Sequence, residues 1–251
     1  MGGVASVTPL LETRGISKRF GGLEAVSGVD LRLDRGEVRA LIGPNGAGKT
    51  TLVGLVSGRL RPTKGEVRLA GRDITRLRSW ERALLGIVYT FQVTSIYRKL
   101  SVHDNVALAA QRRRLSSPLD CIALDRRPVE AAVDAALAEV GLGDLRGQQA
   151  GALAYGHQRL VEVAMALALG PELLILDEPT QGLAGDEIEA FCRLVRRIAG
   201  TTTVLLIEHN MSVVLELAGR VTVMDRGRVL AEGTPAEIEA HPEVQRAYLG
   251  R

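Results

Sequence analysis

Cysteine and lysine are the scarce residues of this chain. Only Cys121 and Cys192 occur in 251 residues. Two thiols so far apart in sequence exclude a disulfide framework or a thiolate zinc site, so both read as incidental core or surface thiols of a reducing compartment. Of 32 basic residues only Lys18, Lys49, Lys64 and Lys99 are lysines, and the 29 acids leave a net charge of +3. That excess is too small for a basic face, and no nucleic-acid partner is expected. Long apolar runs are missing too. The longest, around 163–170 and 173–176, are short and flanked by carboxylates, and residues 1–9 have no basic region leading into an apolar one. No membrane span and no export signal is expected. Internal repeats and low-complexity linkers are also lacking.

What is present is enough apolar residue, 46%, to fill one large core. From 10 to 69 short apolar runs alternate with the turn signals Phe20-Gly21-Gly22, Asp34-Arg35-Gly36 and Thr63-Lys64-Gly65. They predict a small antiparallel layer set around one strand, 37–42. Over 102–140 the period becomes helical, with a polar, proline-containing stretch at 116–128, and an inserted helical subdomain is expected there. Beyond Gly156 the reading is helix to 169, strand 173–176, helix 186–199, strand 203–207 and helix 212–217, the alternation that builds a parallel sheet. A hairpin (221–224 and 229–231) and a short helical tail close the chain. The clusters Arg112-Arg113-Arg114 and Arg126-Arg127 are either solvated helix ends or contacts for phosphate or lipid head groups.

The motif that carries chemistry is Gly43-Pro44-Asn45-Gly46-Ala47-Gly48-Lys49-Thr50, which fills G-x-x-x-x-G-K-[ST] between the 37–42 strand and a helix expected over 49–57. Its three glycines let successive N–H groups turn inward onto phosphate oxygens at the positive end of that helix. Lys49 then supplies a point charge to the β- and γ-phosphates, and the Thr50 hydroxyl ligates Mg²⁺. Residues 173–178 add four apolar positions ending in Asp177-Glu178, at the strand edge where open α/β sheets bind ligands. Asp177 is expected to hold Mg²⁺ through water, and Glu178 to orient or deprotonate the water attacking the γ-phosphate. A nucleotide triphosphatase follows. No Asn-Lys-x-Asp segment that would read guanine occurs, which disfavours a P-loop GTPase.

With these motifs stand Thr90-Phe91-Gln92, Leu153-Ala154-Tyr155-Gly156-His157-Gln158 just before a helix, and Glu208-His209 after a strand. In this order the five segments resemble the nucleotide-binding subunits of ABC transporters over nearly the whole length. The resemblance implies an α/β fold: a P-loop NTPase core with a mixed or parallel sheet, a small antiparallel β subdomain and an inserted helical subdomain. Its expected bounds are 10–91 and 160–232 for the core with its β layer, 92–159 for the helical and signature part, and 233–251 for the tail. It further implies a head-to-tail dimer with ATP sandwiched between the P-loop of one subunit, extending to Thr51, and the signature segment Ala154, Tyr155, Gly156 and His157 of the other. Gln92 would sense Mg²⁺ and the attacking water, and His209 would hold the γ-phosphate and steady the water on Glu178. Phe20 matches the position that stacks on adenine, or else is a core ring.

Three positions depart from the family pattern. Ala154 replaces the signature serine, leaving the contact to the partner's nucleotide to backbone N–H groups around Tyr155 and Gly156. Ala184 stands where the family has an aspartate, and Met165 where many relatives have arginine. The segment Leu153-Ala154-Tyr155-Gly156 is itself similar to the signature of the branched-chain amino acid importers' ATP-binding subunits, as are 86–92, 205–211 and the ending Ala247-Tyr248-Leu249-Gly250. This implies a peripheral motor at the cytoplasmic face of the membrane. Its partners would be a second ATP-binding subunit, identical or different, transmembrane permease subunits and, indirectly, a solute-binding protein, the last two choosing the cargo. Similar ATPases serve urea, amides or lipopolysaccharide export. A soluble ABC ATPase acting on nucleic acid or protein assemblies is the rival reading; the long coiled-coil insertion, second cassette or basic surface usual for that class is not in the sequence.

Overall fold

The computed structural model describes residues 8–90, 95–112 and 126–248. The chain opens with β1 (Leu11–Phe20) and β2 (Leu23–Leu33), then β3 (Val38–Ile42) and α1 (Lys49–Val56). β4 (Lys64–Leu69), β5 (Arg72–Asp73), α2 (Ser79–Leu84) and β6 (Ile87–Tyr89) follow. Next come α3 (Val102–Arg112), α4 (Arg127–Val140) and α5 (Tyr155–Ala168). The second half alternates as β7 (Leu173–Asp177), α6 (Gly185–Ala199), β8 (Thr203–Ile207) and α7 (Met211–Leu217). It ends with β9 (Arg220–Asp225), β10 (Arg228–Gly233), α8 (Pro235–Ala240) and α9 (Pro242–Tyr248).

Two sheets result: a four-stranded antiparallel one in the order β2-β1-β4-β5, and a six-stranded one in the order β10-β9-β3-β8-β7-β6. In the larger sheet only the β9–β10 pair is antiparallel. The apolar runs explain its depth. Leu173, Ile175, Leu205 and Ile207 face the antiparallel sheet and α1, whereas Leu174, Leu176, Val204 and Leu206 face the helices α3 to α6. A strand buried on both faces reads as continuous hydrophobic sequence, which is why 173–176 and 203–207 show no alternation. Cys192 lies buried in the helical side of that core; Cys121, Arg113 and Arg114 lie outside the described residues.

The strand feeding the P-loop differs from its sequence reading. β3 does not pair with the antiparallel layer but sits between β9 and β8 in the larger sheet. Its residues Arg39 to Leu41 are buried, so backbone partners on both sides, not local turn signals, decide its sheet. α2, β5 and β6 were not anticipated, being two to six residues long and below the length at which a period shows.

Candidate functional site

β3, β8 and β7 are adjacent and parallel, so the residues that follow each of them emerge at one edge. After β3 comes Gly43, after β8 Glu208-His209, and at the end of β7 Asp177-Glu178. This carboxyl edge is where open α/β sheets place their ligands. A cleft of about 480 Å³ opens there, lined by Gly43, Pro44, Asn45, Lys49, Glu178, Gln181 and His209.

The P-loop is wound around its glycines. Gly43, Gly46 and Gly48 have φ of 150°, 80° and 100°, backbone that an L side chain enters only with strain. A Cβ on Gly43 would collide with the carbonyl oxygen of Met224, and one on Gly48 would come within 2.5 Å of the Ala25 carbonyl oxygen. The Ala47 N–H donates to the Pro44 carbonyl (3.1 Å), and the Gly227 N–H to the Ala47 carbonyl (2.9 Å), so the β9–β10 turn braces the loop from behind. Gly48 ends the loop as the N-cap of α1. Thr50 is exposed on the first helical turn, and Thr51 is half-buried next to it.

Lys49 folds back over its own loop, donating to the carbonyls of Gly43 (2.6 Å) and Pro44 (3.1 Å). Burial holds its ammonium below the ordinary lysine value, while the charges of Glu178 and Asp177 pull it back up. Asp177 is 5% exposed, and one of its oxygens, Oδ2, accepts from the Tyr89 hydroxyl. That hydroxyl is held protonated by burial and by the bond to Asp177, and the Arg59 guanidinium stacks 3.9 Å from the Tyr89 ring centre.

Glu178 adopts φ of +47°, a left-handed conformation costing a non-glycine residue roughly 1–2 kcal/mol. Three bonds hold it there. Its N–H donates to the Ile207 carbonyl (2.9 Å), and its carbonyl accepts from Gln181 N–H (3.2 Å) and Arg159 Nη2 (3.0 Å). The strained turn sends the carboxylate into the cleft, 3.9 Å from His209 Nδ1. Behind both lies Glu208, 1% exposed. One of its oxygens accepts from the Thr180 N–H and hydroxyl, the other from the N–H groups of His209 and Asn210. It therefore ties the loop after β7 to the loop after β8 and sets His209 against Glu178. Sequence reasoning assigned nothing to Glu208, Tyr89 or Arg159; their partners lie 28, 88 and 19 residues away, beyond any local pattern.

Phe20 is 45% exposed, which removes the core-ring alternative. It pairs with Leu23 across the β1–β2 turn, two residues before the Ala25 carbonyl that abuts Gly48, with Lys18 Nζ 5.1 Å from its ring centre. Ala154 is the N-cap of α5, so Tyr155, Gly156 and His157 form its exposed or half-buried first turn. None of these four lines the P-loop cleft. Phe91 and Gln92 lie outside the described residues.

The edge can thus cradle a polyphosphate, with a carboxylate and an imidazole beside its far end. Thr50 and Asp177 are hard oxygen donors, the kind Mg²⁺ takes in small number when phosphates supply the rest. No cluster of three or more His, Cys, Asp or Glu that could hold a metal by itself occurs among the described residues.

Residues 26–181 match the family described as ABC transporter, and residues 228–251 match the family described as branched-chain amino acid ATP-binding cassette transporter. The chain is 41% identical to the high-affinity branched-chain amino acid transport ATP-binding protein LivG of Salmonella typhimurium, over 96% of this chain and 98% of that one. It is 39% identical to the corresponding protein BraF of Pseudomonas aeruginosa, over the same shares. Among solved structures, an ATP-binding cassette of an ABC transporter in its ADP conformation superposes with a TM-score of 0.84 at 31% identity, covering 97% of this chain and 99% of that one. By the span of the family match and by identity over nearly its whole length, the chain belongs to the ABC transporter family, as one of its ATP-binding, ATP-hydrolysing subunits.

Proposed function

We propose that this chain is the ATP-driven motor of an importer for branched-chain amino acids or related small polar solutes. The observation that carries the motor reading is the convergence of the P-loop, Glu178 and His209 on one strand edge. The match at 228–251 to the branched-chain amino acid family and the likeness to LivG and BraF support the cargo.

In this reading the N–H groups of 43–48 and the Lys49 ammonium bind the β- and γ-phosphates. Glu178 accepts the proton of the attacking water, and His209 donates to the γ-phosphate and steadies Glu178. Mg²⁺, held by Thr50, Asp177 through water, and Gln92, would neutralise charge on the β- and γ-oxygens when bound. Phe20 offers its exposed ring to adenine.

The signature segment 154–157 completes the site of a second subunit, homologous or identical, across a head-to-tail dimer. This accounts for its distance from the chain's own P-loop cleft: α5 presents N–H groups at an exposed helix start, with no side chain from Ala154 in the way. The core (10–91 and 160–232) and the helical part (92–159) would shift against each other on ATP binding. A second cleft of about 310 Å³ is lined by Tyr89, Thr90, Ser95, Ile96, Tyr97, Glu162 and Met165 among others. It suits a short amphipathic helix of a permease, and Met165 gives it an apolar wall where an arginine would add charge. No described helix is long and apolar enough to cross a membrane, so attachment to the cytoplasmic face would run through those permease subunits.

The test is to purify tagged full-length Glu178→Gln protein from detergent-solubilised membranes with ATP and Mg²⁺ and to identify its companions by mass spectrometry. Two permease subunits are expected; recovery of only soluble or nucleic-acid-bound partners would overturn the transporter reading.

A further inference from the structure

The start of α5 and the loop 178–184 with the first turn of α6 meet at three points. First, the Glu187 carboxylate lies against the Gly156 backbone: a Cβ there would meet Glu187 Oε1 and come 2.9 Å from its Cδ, so the carboxylate would have to turn aside. The same Glu187 carboxylate accepts from the Ala184 N–H through Oε2 (2.8 Å). One oxygen thus holds the end of the loop while the other rests against the backbone of the α5 first turn. Second, Tyr155 packs on Gly182, whose Cβ would sit a tight 3.1 Å from the Tyr155 ring; Gly182 has φ of +81°, a conformation that favours glycine. Third, one turn further along α5, Arg159 donates from Nη2 to the Glu178 carbonyl (3.0 Å) and from Nη1 to Glu162 Oε2 (2.9 Å), with its own side chain buried.

We propose that Glu187 is a positioning residue that makes the start of α5 and the loop from Glu178 to Ala184 move as one body. A nucleotide engaged by Tyr155 and Gly156 on behalf of the partner subunit then sets the Glu178 backbone of the same subunit. This rests on the ATP-sandwich reading above. Carboxylate bonds to backbone N–H groups are charge-assisted and short, suited to fixing a loop end. A group that acts only through others should change turnover and leave the P-loop of an isolated subunit untouched.

The test uses the full chain. In Glu187→Ala, affinity for a fluorescent ATP analogue with Mg²⁺ should stay within about twofold of wild type while kcat falls about tenfold or more with KM little changed. Glu187→Gln keeps an acceptor for the Ala184 N–H and should recover most of that loss. Gly156→Ala should lower kcat strongly, and Gly156→Ala/Glu187→Ala should be no slower than Glu187→Ala alone, because removing the carboxylate removes the collision. Wild-type kcat in Glu187→Ala, or strictly additive losses in the double variant, would overturn the lock. Lys49→Ala is measured alongside. If it hydrolyses ATP as fast as wild type, the motor reading itself fails and this inference with it; if it is inactive while Glu187→Ala is unimpaired, only the lock fails.

Discussion

Glu208 is the residue on which the geometry of the site turns, although it does not line the cleft. Four donors converge on its two oxygens, two from Thr180 and one each from His209 and Asn210, in a place with 1% exposure. Replacing it with alanine strands those donors away from water. The expected cost is about 3 kcal/mol, since an unmade buried bond costs the desolvation of its partners. Urea unfolding should show that loss, and the ATPase rate should fall further than stability alone explains because His209 is no longer held 3.9 Å from Glu178. Glu178 itself illustrates strain kept where it is useful: its φ of +47° is sustained by backbone bonds to Ile207, Gln181 and Arg159.

Among the elements, α1 and the α3–α4 pair make opposite use of charge. α1 has no acidic residue in its first turn and no basic residue in its last, which leaves its positive N-terminal end open to phosphate. Its C-terminal carbonyls are met from another element. Arg82, fully buried on α2, donates from Nη1 to the Leu55 and Val56 carbonyls (both 2.7 Å) and from Nη2 to the Thr75 carbonyl (3.0 Å). Burial pushes its pKa down to about 10, which still leaves it charged at neutral pH. Arg82→Met should destabilise the fold by about 3 kcal/mol, read as a lower urea midpoint, because charged bonds to buried carbonyls are lost. The α3–α4 pair is joined by His103 Nε2 facing Glu130 (3.0 Å), with Asp104 at Nδ1 (3.2 Å) and Arg146 bound to Glu130 and Asp134.

The His103 pKa is raised above the ordinary 6.5, chiefly by its bond to Glu130, with Arg146 opposing. A raised folded-state value means that the stabilisation is complete below about pH 6.5 and is lost as pH climbs through the folded pKa. Glu130 and Asp104 are held below their ordinary values, chiefly by bonds to His103 and to Ser101 respectively. Their contribution is therefore present above about pH 4.5 and lost on acidification. Melting temperature should accordingly drop as pH rises above about 6.5 more steeply in wild type than in His103→Gln. Equal slopes would show that His103 does not carry the effect.

For the whole molecule, what could be read from sequence is what the chain states locally. The P-loop glycines, the apolar run into Asp177-Glu178 and the doubly buried strands declare themselves by spacing and periodicity, and the order of strands and helices after Gly156 follows from them. What could not be read depends on distant pairing. β3 joins the larger sheet rather than the antiparallel layer; β6 is three residues long; Tyr89 reaches Asp177 across 88 positions; and Arg82 caps a helix 26 and 27 positions away. The signature residues 154–157 were legible as a motif, yet they do not line the P-loop cleft, a placement that the proposed head-to-tail pairing would explain.

Glu178, set by its strained turn beside His209, is the residue proposed to activate the water that cleaves ATP. The most direct measurement compares steady-state ATP hydrolysis by wild type and Glu178→Gln full-length protein, with nucleotide affinity determined on the same samples. Retained ATP binding with turnover lower by roughly 10²–10⁴-fold is expected. Undiminished hydrolysis in Glu178→Gln, with binding intact, would contradict it.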